Sequence, residues 1–354
     1  MRKTLKLVIP VVIIFAIIVL AMKCISNPQP TDLSDTIPVS ENDNSTNDTK
    51  SENINSTNDK KNAADLIKFN YEFNPHVISK EYLVIYGADI EKTFYDFCDA
   101  VLSGESTFQC ESTEKFNAVL DISRICLPIA SEYVDKDKAY VENNVGHITY
   151  NIEKEELHEK ANKFKDKVSD VITSAIPYKE DDFILAMELL TAVANKNTYD
   201  EEGNSIENVL KLQPYRTIME DKGICHEIAG EYIYYLLQVG VNAINCDGID
   251  KNQEYAHEWA VVELDGEYYH VDPTFTIKHK DSLEFFCIND EMREQKGDFN
   301  MEELSFAYSS KINYIIDSIK YKDLWGAENY TIDHENRKIY MTMFDSGEKK
   351  EFNY

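Results

Sequence analysis

Ile228, Ala229, Tyr232, Ile233, Leu236 and Leu237 recur three and four residues apart and stop at Gly240, the pattern of an amphipathic helix with a glycine exit. Downstream the period changes. Residues 257–264 read as a strand, Asp265-Gly266 as a two-residue hairpin turn, and residues 267–272 as the return strand. A two-residue loop fixes the register, so Leu264 faces Glu267, and Trp259 faces Asp272. His257 then lies one diagonal step from Asp272 on the same face, within side-chain reach. The same periodicities predict helices over residues 90–102, 113–129, 153–176 and 182–196. They also predict a strand over 82–85, a long helix over 301–324, and a C-terminal hairpin of 330–332 with 338–344. Helices grouped around an antiparallel sheet make the fold class α+β.

The N-terminal 62 residues read differently. Arg2, Lys3 and Lys6 precede an apolar run over residues 7–22, a basic flank and length intermediate between a signal h-region and a spanning helix. Residues 1–26 are therefore expected to be an uncleaved membrane anchor, ahead of a cleaved signal and of a lipid anchor at Cys24, where Lys23 fits a lipobox poorly. Charge placement puts the remainder outside the cytoplasm. Residues 27–62 are Asn, Ser, Thr, Asp and Pro with almost nothing apolar, the composition of a disordered tether. The rest divides into a mainly helical extension (63–178), a core (179–300) and a C-terminal helix and hairpin (301–354).

Composition narrows the function. A net charge of −28 argues against nucleic acid and anionic membrane surfaces as partners. Seven scattered cysteines in a chain of 354 residues are not a disulfide framework, and Cys98, Cys126 and Cys246 sit among apolar residues as core positions. The acidic cluster Asp200-Glu201-Glu202-Gly203 lacks calcium-loop spacing. No metal or cofactor is expected. Zinc held by Cys225, His226 and His257 is conceivable by residue type, but no close Cys/His pair of zinc-finger spacing accompanies them.

Cys225 carries the candidate chemistry. It opens the amphipathic helix, where first-turn N–H groups and the helix dipole favour a thiolate, and a neighbouring histidine would bring its pKa to about 3.5–7.5. A lone cysteine is more often a core plug. Cys225, His257 and Asp272 together are the types and order of a nucleophile, its base and the base's orienter, the equipment for acyl transfer through a thioester.

These residues resemble the transglutaminase-like superfamily, a branch of the papain-like cysteine proteases, over roughly residues 180–290. The pattern is carried by Gly223-Ile224-Cys225, by His257-Glu258-Trp259 and by Gly266 through Val271-Asp272-Pro273-Thr274. The lead-in helix to Tyr199-Asp200 and the Leu236-Leu237 exit before Gly240 add to it. The resemblance implies a papain-like core, a nucleophile helix packed on an antiparallel sheet, with Cys225 as nucleophile, His257 as base then acid, and Asp272 as orienter. The Cys225 N–H is one oxyanion donor, and the Gln213 side chain is the candidate for the other. Trp259 and Tyr215 are substrate-groove candidates. His226 and Glu258 depart from the pattern. The expected substrate is a peptide or protein amide, including one tied to the cell envelope, with hydrolysis and crosslinking both open. The competing expectation is a non-catalytic module that binds peptide or envelope components.

Overall fold

The computed structural model describes residues 66–203, 211–253 and 256–354. The expected anchor and tether lie outside these residues. Among the described residues no helix is long and apolar enough to cross a membrane.

The chain is α+β. Its N-terminal part runs α1 (Lys80–Tyr86), α2 (Ile90–Ser103), β1 (Thr107–Gln109), α3 (Thr113–Cys126), α4 (Pro128–Tyr133), β2 (Tyr140–Glu142), β3 (Val145–His147) and α5 (Lys154–Ala175). Helices dominate this part, as the apolar spacing predicts, with a small antiparallel sheet ordered β1-β3-β2. Two expectations are corrected. The stretch 82–85 is helical, because its backbone closes α1 onto the Gly87 N–H and buries Tyr82 and Ile85 on one face. The helix begun at Thr113 stops at Cys126, since Pro128 cannot continue its hydrogen bonding and instead opens α4 at its first turn.

The central part contains α6 (Asp182–Lys196), β4 (Thr198–Tyr199), α7 (Pro214–Glu220), β5 (Lys222–Gly223), α8 (Cys225–Gln238), β6 (Ala243–Ile249), β7 (Ala256–Leu264), β8 (Glu267–Val271), α9 (Pro273–Lys278) and α10 (Asp290–Gly297). A sheet ordered β8-β7-β6-β9 includes the short β9 (Ser305–Phe306), and every pairing in it is antiparallel. The β7–β8 register is the one the turn predicts: Leu264 opposes Glu267 and Ala260 opposes Val271, across a turn with positive φ at Asp265 and Gly266. Helix α8 lies on β6 and β7 and packs against α3, α6 and α7. Nearly all of it is buried, Tyr232, Ile233, Tyr234, Tyr235 and Leu236 completely, so one apolar core joins the helical part to the sheet.

The C-terminal part departs from its expected long helix. Residues 301–324 contain only a 3-10 turn at Met301–Glu303, strand β9 and a second 3-10 turn at Lys322–Leu324. Tertiary partners take the hydrogen bonds a helix would have used. Ser305 and Phe306 pair with Asp247 and Cys246, and Asp290 exchanges main-chain and side-chain bonds with Ile316. Consecutive positive φ values at Ala307 and Tyr308 also interrupt helical continuation. The expected hairpin is present as β10 (Ala327–Asp333) and β11 (Lys338–Met343), extended by a third strand, β12 (Lys349–Asn353).

Candidate active site

Helix α8 begins at Cys225, and a side chain three residues after its N-cap, Ile224, fixes its entry. Glu227 accepts the Ile224 N–H at 3.0 Å, the reciprocal half of a capping box. Arg216 grips Glu227 through both Nε (2.9 Å) and Nη2, and reaches Asp200 Oδ2 at 2.8 Å through Nη1. Lys222 adds a second cation on Asp200. Burial would raise the Asp200 carboxyl, but Lys222 and Arg216 override it and hold its pKa at about 2. The Tyr199-Asp200 turn, the α7 cation and the nucleophile helix are thus one electrostatic unit, further joined by parallel pairing of β4 with β5.

Across from the helix, the β7–β8 hairpin presents His257. Its Nε2 lies 2.7 Å from Asp272 Oδ2. The ring is stacked on Phe275 with centroids 4.8 Å apart, which fixes its plane. Asp272 is itself held rigidly: Oδ1 caps α9 by accepting the Thr274 and Phe275 N–H groups at 3.0 and 3.1 Å. Its other oxygen also meets Arg293 Nη1 at 3.0 Å. Burial pushes this carboxyl up, yet the His257 and Arg293 charges and the backbone donors bring its pKa down to about 2. The Asp272 contact engages Nε2 and not Nδ1.

Cys225 is half-buried, whereas the other described cysteines are buried; all are free thiols. Burial raises the Cys225 pKa to about 12, and the backbone N–H groups of Glu258 and His226 only partly oppose this. Burial thus opposes the thiolate that its helix position favours. The Glu258 N–H belongs to the residue immediately after His257, which places the sulfur alongside the His257 strand.

The two residues that depart from the family pattern have structural partners. His226 is buried, its Nε2 3.0 Å from the Leu212 carbonyl, and desolvation lowers its pKa to about 3, so it stays neutral. Glu258 opposes Asp247 across β6 and β7, receives the Tyr308 hydroxyl, and lies 3.9 Å from Arg124. Burial and the Glu258 charge raise the Asp247 pKa well above the usual carboxylate range.

Gln213 is the N-cap residue of α7, with its side-chain oxygen buried and without a hydrogen-bond partner. The His226–Leu212 bond ties this stretch to the start of α8. The groove assignments are corrected. Trp259 is fully buried, donating to His270 Nδ1 at 2.8 Å, so it is the floor beneath His257 and not an open wall. Tyr215 is also buried, stacked on Phe164 and bonded to the Tyr133 hydroxyl among α4, α5 and α7. Aromatic side chains at these positions have better use as packing than as wet surface.

Arg293, Glu227 and Arg216 were not singled out by the sequence. The S/T-x-x-E capping signature would have flagged Glu227, but an isoleucine occupies the cap. Arg293 lies in a strongly polar stretch, Asp290–Gly297, that looks like solvent-facing helix, yet it is the buried residue of that helix. Among the described residues no cluster of three His, Cys, Asp or Glu side chains is arranged to hold a metal.

No protein-family model matches the sequence, and no curated protein matches it. Among solved structures the chain is similar to a proposed cysteine protease from Cytophaga hutchinsonii, at 17% identity and a TM-score of 0.26, over 31% of this chain and 37% of that one. It is also similar to a TGase, at 14% identity and a TM-score of 0.29, over 41% of this chain and 46% of that one. The chain thus spans less than half the length of either protein.

Proposed function

We propose that this chain is a transglutaminase-like, cysteine-dependent acyl-transfer enzyme acting on peptide or protein amides, with Cys225 as nucleophile, His257 as base then acid, and Asp272 as orienter. The observation that carries the proposal is the His257 Nε2–Asp272 Oδ2 contact of 2.7 Å on a hairpin packed against the Cys225 helix. The burial-raised thiol favours proton transfer concerted with attack. His257 takes the thiol proton as Sγ bonds to the amide carbon, then delivers it to the departing amine. The product is a thioester on Cys225, resolved by water (hydrolysis) or by a second amine (crosslinking). The Cys225 N–H, at the first turn of α8, and the Gln213 amide would receive the oxyanion. The basic flank and apolar run of residues 1–26 support placing this activity outside the cytoplasm, tethered to the membrane.

The second reading is a module that binds peptide or envelope components without catalysis, toward which the burial that raises the Cys225 thiol points, since it disfavours a thiolate. The discriminating experiment incubates the full chain with a glutamine-containing peptide and a primary amine, quenches in acid, and measures intact mass and ammonia release. An acyl adduct on Cys225 that disappears in Cys225→Ala and His257→Ala establishes the enzyme. Absence of adduct, ammonia and peptide cleavage, with iodoacetamide labelling of Cys225 unchanged by His257→Ala, establishes the binding module.

A further inference from the structure

A groove of about 780 Å³ runs between α5, α6 and β10, and it shares no residue with the triad or its partners described above. Its walls mix small apolar side chains, Val171, Ala175, Ala192 and Ile332, with the ring of Tyr330, whose hydroxyl bonds Thr191. Glu188 lines it. This residue is only 8% exposed, and its Oε2 is buried with no hydrogen-bond partner. A buried carboxylate oxygen without a donor is costly, and it is the kind of atom a ligand completes.

The surrounding charges decide what that ligand is. Glu188 Oε1 is already occupied by His334 Nε2 at 3.3 Å, and the other nitrogen of that ring meets Glu180 at 3.1 Å. Arg337 bridges Glu180 and Asp181. This cluster therefore holds three carboxylates against two cations. At the far end, Lys167 and Lys196 face the groove but are neutralised by Asp221 and, for Lys196, by Glu231. Asp170 adds another negative charge to the lining. An anionic ligand would meet a net negative wall and no unengaged cation. A donor with positive charge would complete Glu188 Oε2 and lie against an aromatic face.

We propose that the groove between α5, α6 and β10 is a binding site for an organic ammonium group, received by Glu188 Oε2 and flanked by Tyr330. The ammonium could belong to a free alkylamine or to a lysine side chain on a peptide, and the two sources are separated by the probes.

The test is calorimetric titration of the full chain with cadaverine and, separately, with Nα-acetyl-lysine methylamide. Saturable binding of either probe is expected, weakened about tenfold or more in Glu188→Gln, whose amide keeps the shape but loses the charge. Ser174→Trp, at an exposed groove position, is expected to block binding even if the Glu188 variant folds poorly. Cys225→Ala is expected to bind as the native chain does, which separates this site from any amine site at the thioester. Binding of cadaverine alone assigns a small amine, and binding of the lysine derivative alone assigns a peptide. No saturable binding by either probe, or binding that survives both Glu188→Gln and Ser174→Trp, overturns the proposal.

Discussion

Arg293 Nη1 lies 3.0 Å from Asp272 Oδ2, the same oxygen that meets His257 Nε2. Arg293 is completely buried, its guanidinium stacked 4.0 Å from the Trp259 ring centroid and 4.5 Å from that of Phe299. A buried cation on the orienting carboxylate has two consequences. It joins His257 in holding the Asp272 pKa down against burial, and it competes with His257 for one oxygen. Breaking such a pair leaves an uncompensated buried charge, worth about 3–5 kcal/mol. Arg293→Met is therefore expected to lower the melting temperature and also to move the acid limb of kcat/KM to higher pH, as Asp272 loses a cation. Arg293→Lys should restore part of the pH profile. An Arg293→Met enzyme that melts early but keeps its acid limb would reduce Arg293 to packing.

Asp272 serves the helix and the imidazole with different oxygens, so its roles are separable. Asp272→Asn retains an oxygen for the Thr274 and Phe275 N–H groups but loses the charge that orients His257. Activity should fall by roughly four orders of magnitude, as when a triad carboxylate becomes an amide. Asp272→Ala should lose the cap as well, a further cost of about 1 kcal/mol seen in denaturant melts. The carboxyl pKa falls from 3.8 to about 2 on folding, so its stabilisation is complete above pH 4 and is lost as pH drops through 2. Acid unfolding of either variant should lack that component. If the two variants melt alike, the cap contributes nothing.

Much of the site's secondary structure was legible because local chemistry specified it. Asp265-Gly266 set the β7–β8 register, and that register places His257 and Asp272 on one face. Spacing of Ile228, Tyr232 and Leu236 specified α8. What the sequence did not carry was tertiary. Residues 301–324 have helical spacing, yet Ile315 and Ile319 are exposed while Ile312 and Ile316 are buried, because the main chain pairs with β6 and Asp290. Trp259 looked like groove wall until Arg293 and Phe299 covered it. The thiol's pKa likewise depends on how deeply the hairpin covers the start of α8, which no helix position reveals.

Gly223, directly before Ile224 and Cys225, is required by a neighbour more than by a substrate. A Cβ there would lie 2.1 Å from Thr217 Oγ1 and 3.2 Å from Glu227 Cβ. Gly223→Ala should therefore disturb the Arg216–Glu227 clasp at the start of α8, costing about 1–3 kcal/mol as overpacking and lowering activity with it. Thr217 Oγ1 is buried without a hydrogen-bond partner, so Thr217→Ala alone should cost little in hydrogen bonding. The double variant should recover part of the stability lost in Gly223→Ala, a coupling measurable by a double-mutant cycle. Strict additivity of the two substitutions would mean that Gly223 matters for another reason.

His334 links the C-terminal hairpin to α6 through its charge. Hydrogen bonds to Glu180 and Glu188 raise its pKa from 6.5 to about 9, outweighing the burial that would lower it. A pKa raised on folding means that the folded chain holds the proton more tightly than the unfolded one. The stabilisation is thus fully present below pH 6.5 and is lost as pH rises through 9. The groups facing the ring are the Glu180 and Glu188 carboxylates and the Tyr178 ring, with Arg337 on the far oxygen of Glu180. Melting temperature should therefore decline between pH 6.5 and 9 in the native chain, and that decline should flatten in His334→Gln, which retains hydrogen bonding without the titration. Glu180→Gln should shrink it as well, since one of the two anions that hold the proton is gone. Equal slopes in the native chain and His334→Gln would show that the imidazolium does not hold the hairpin to α6.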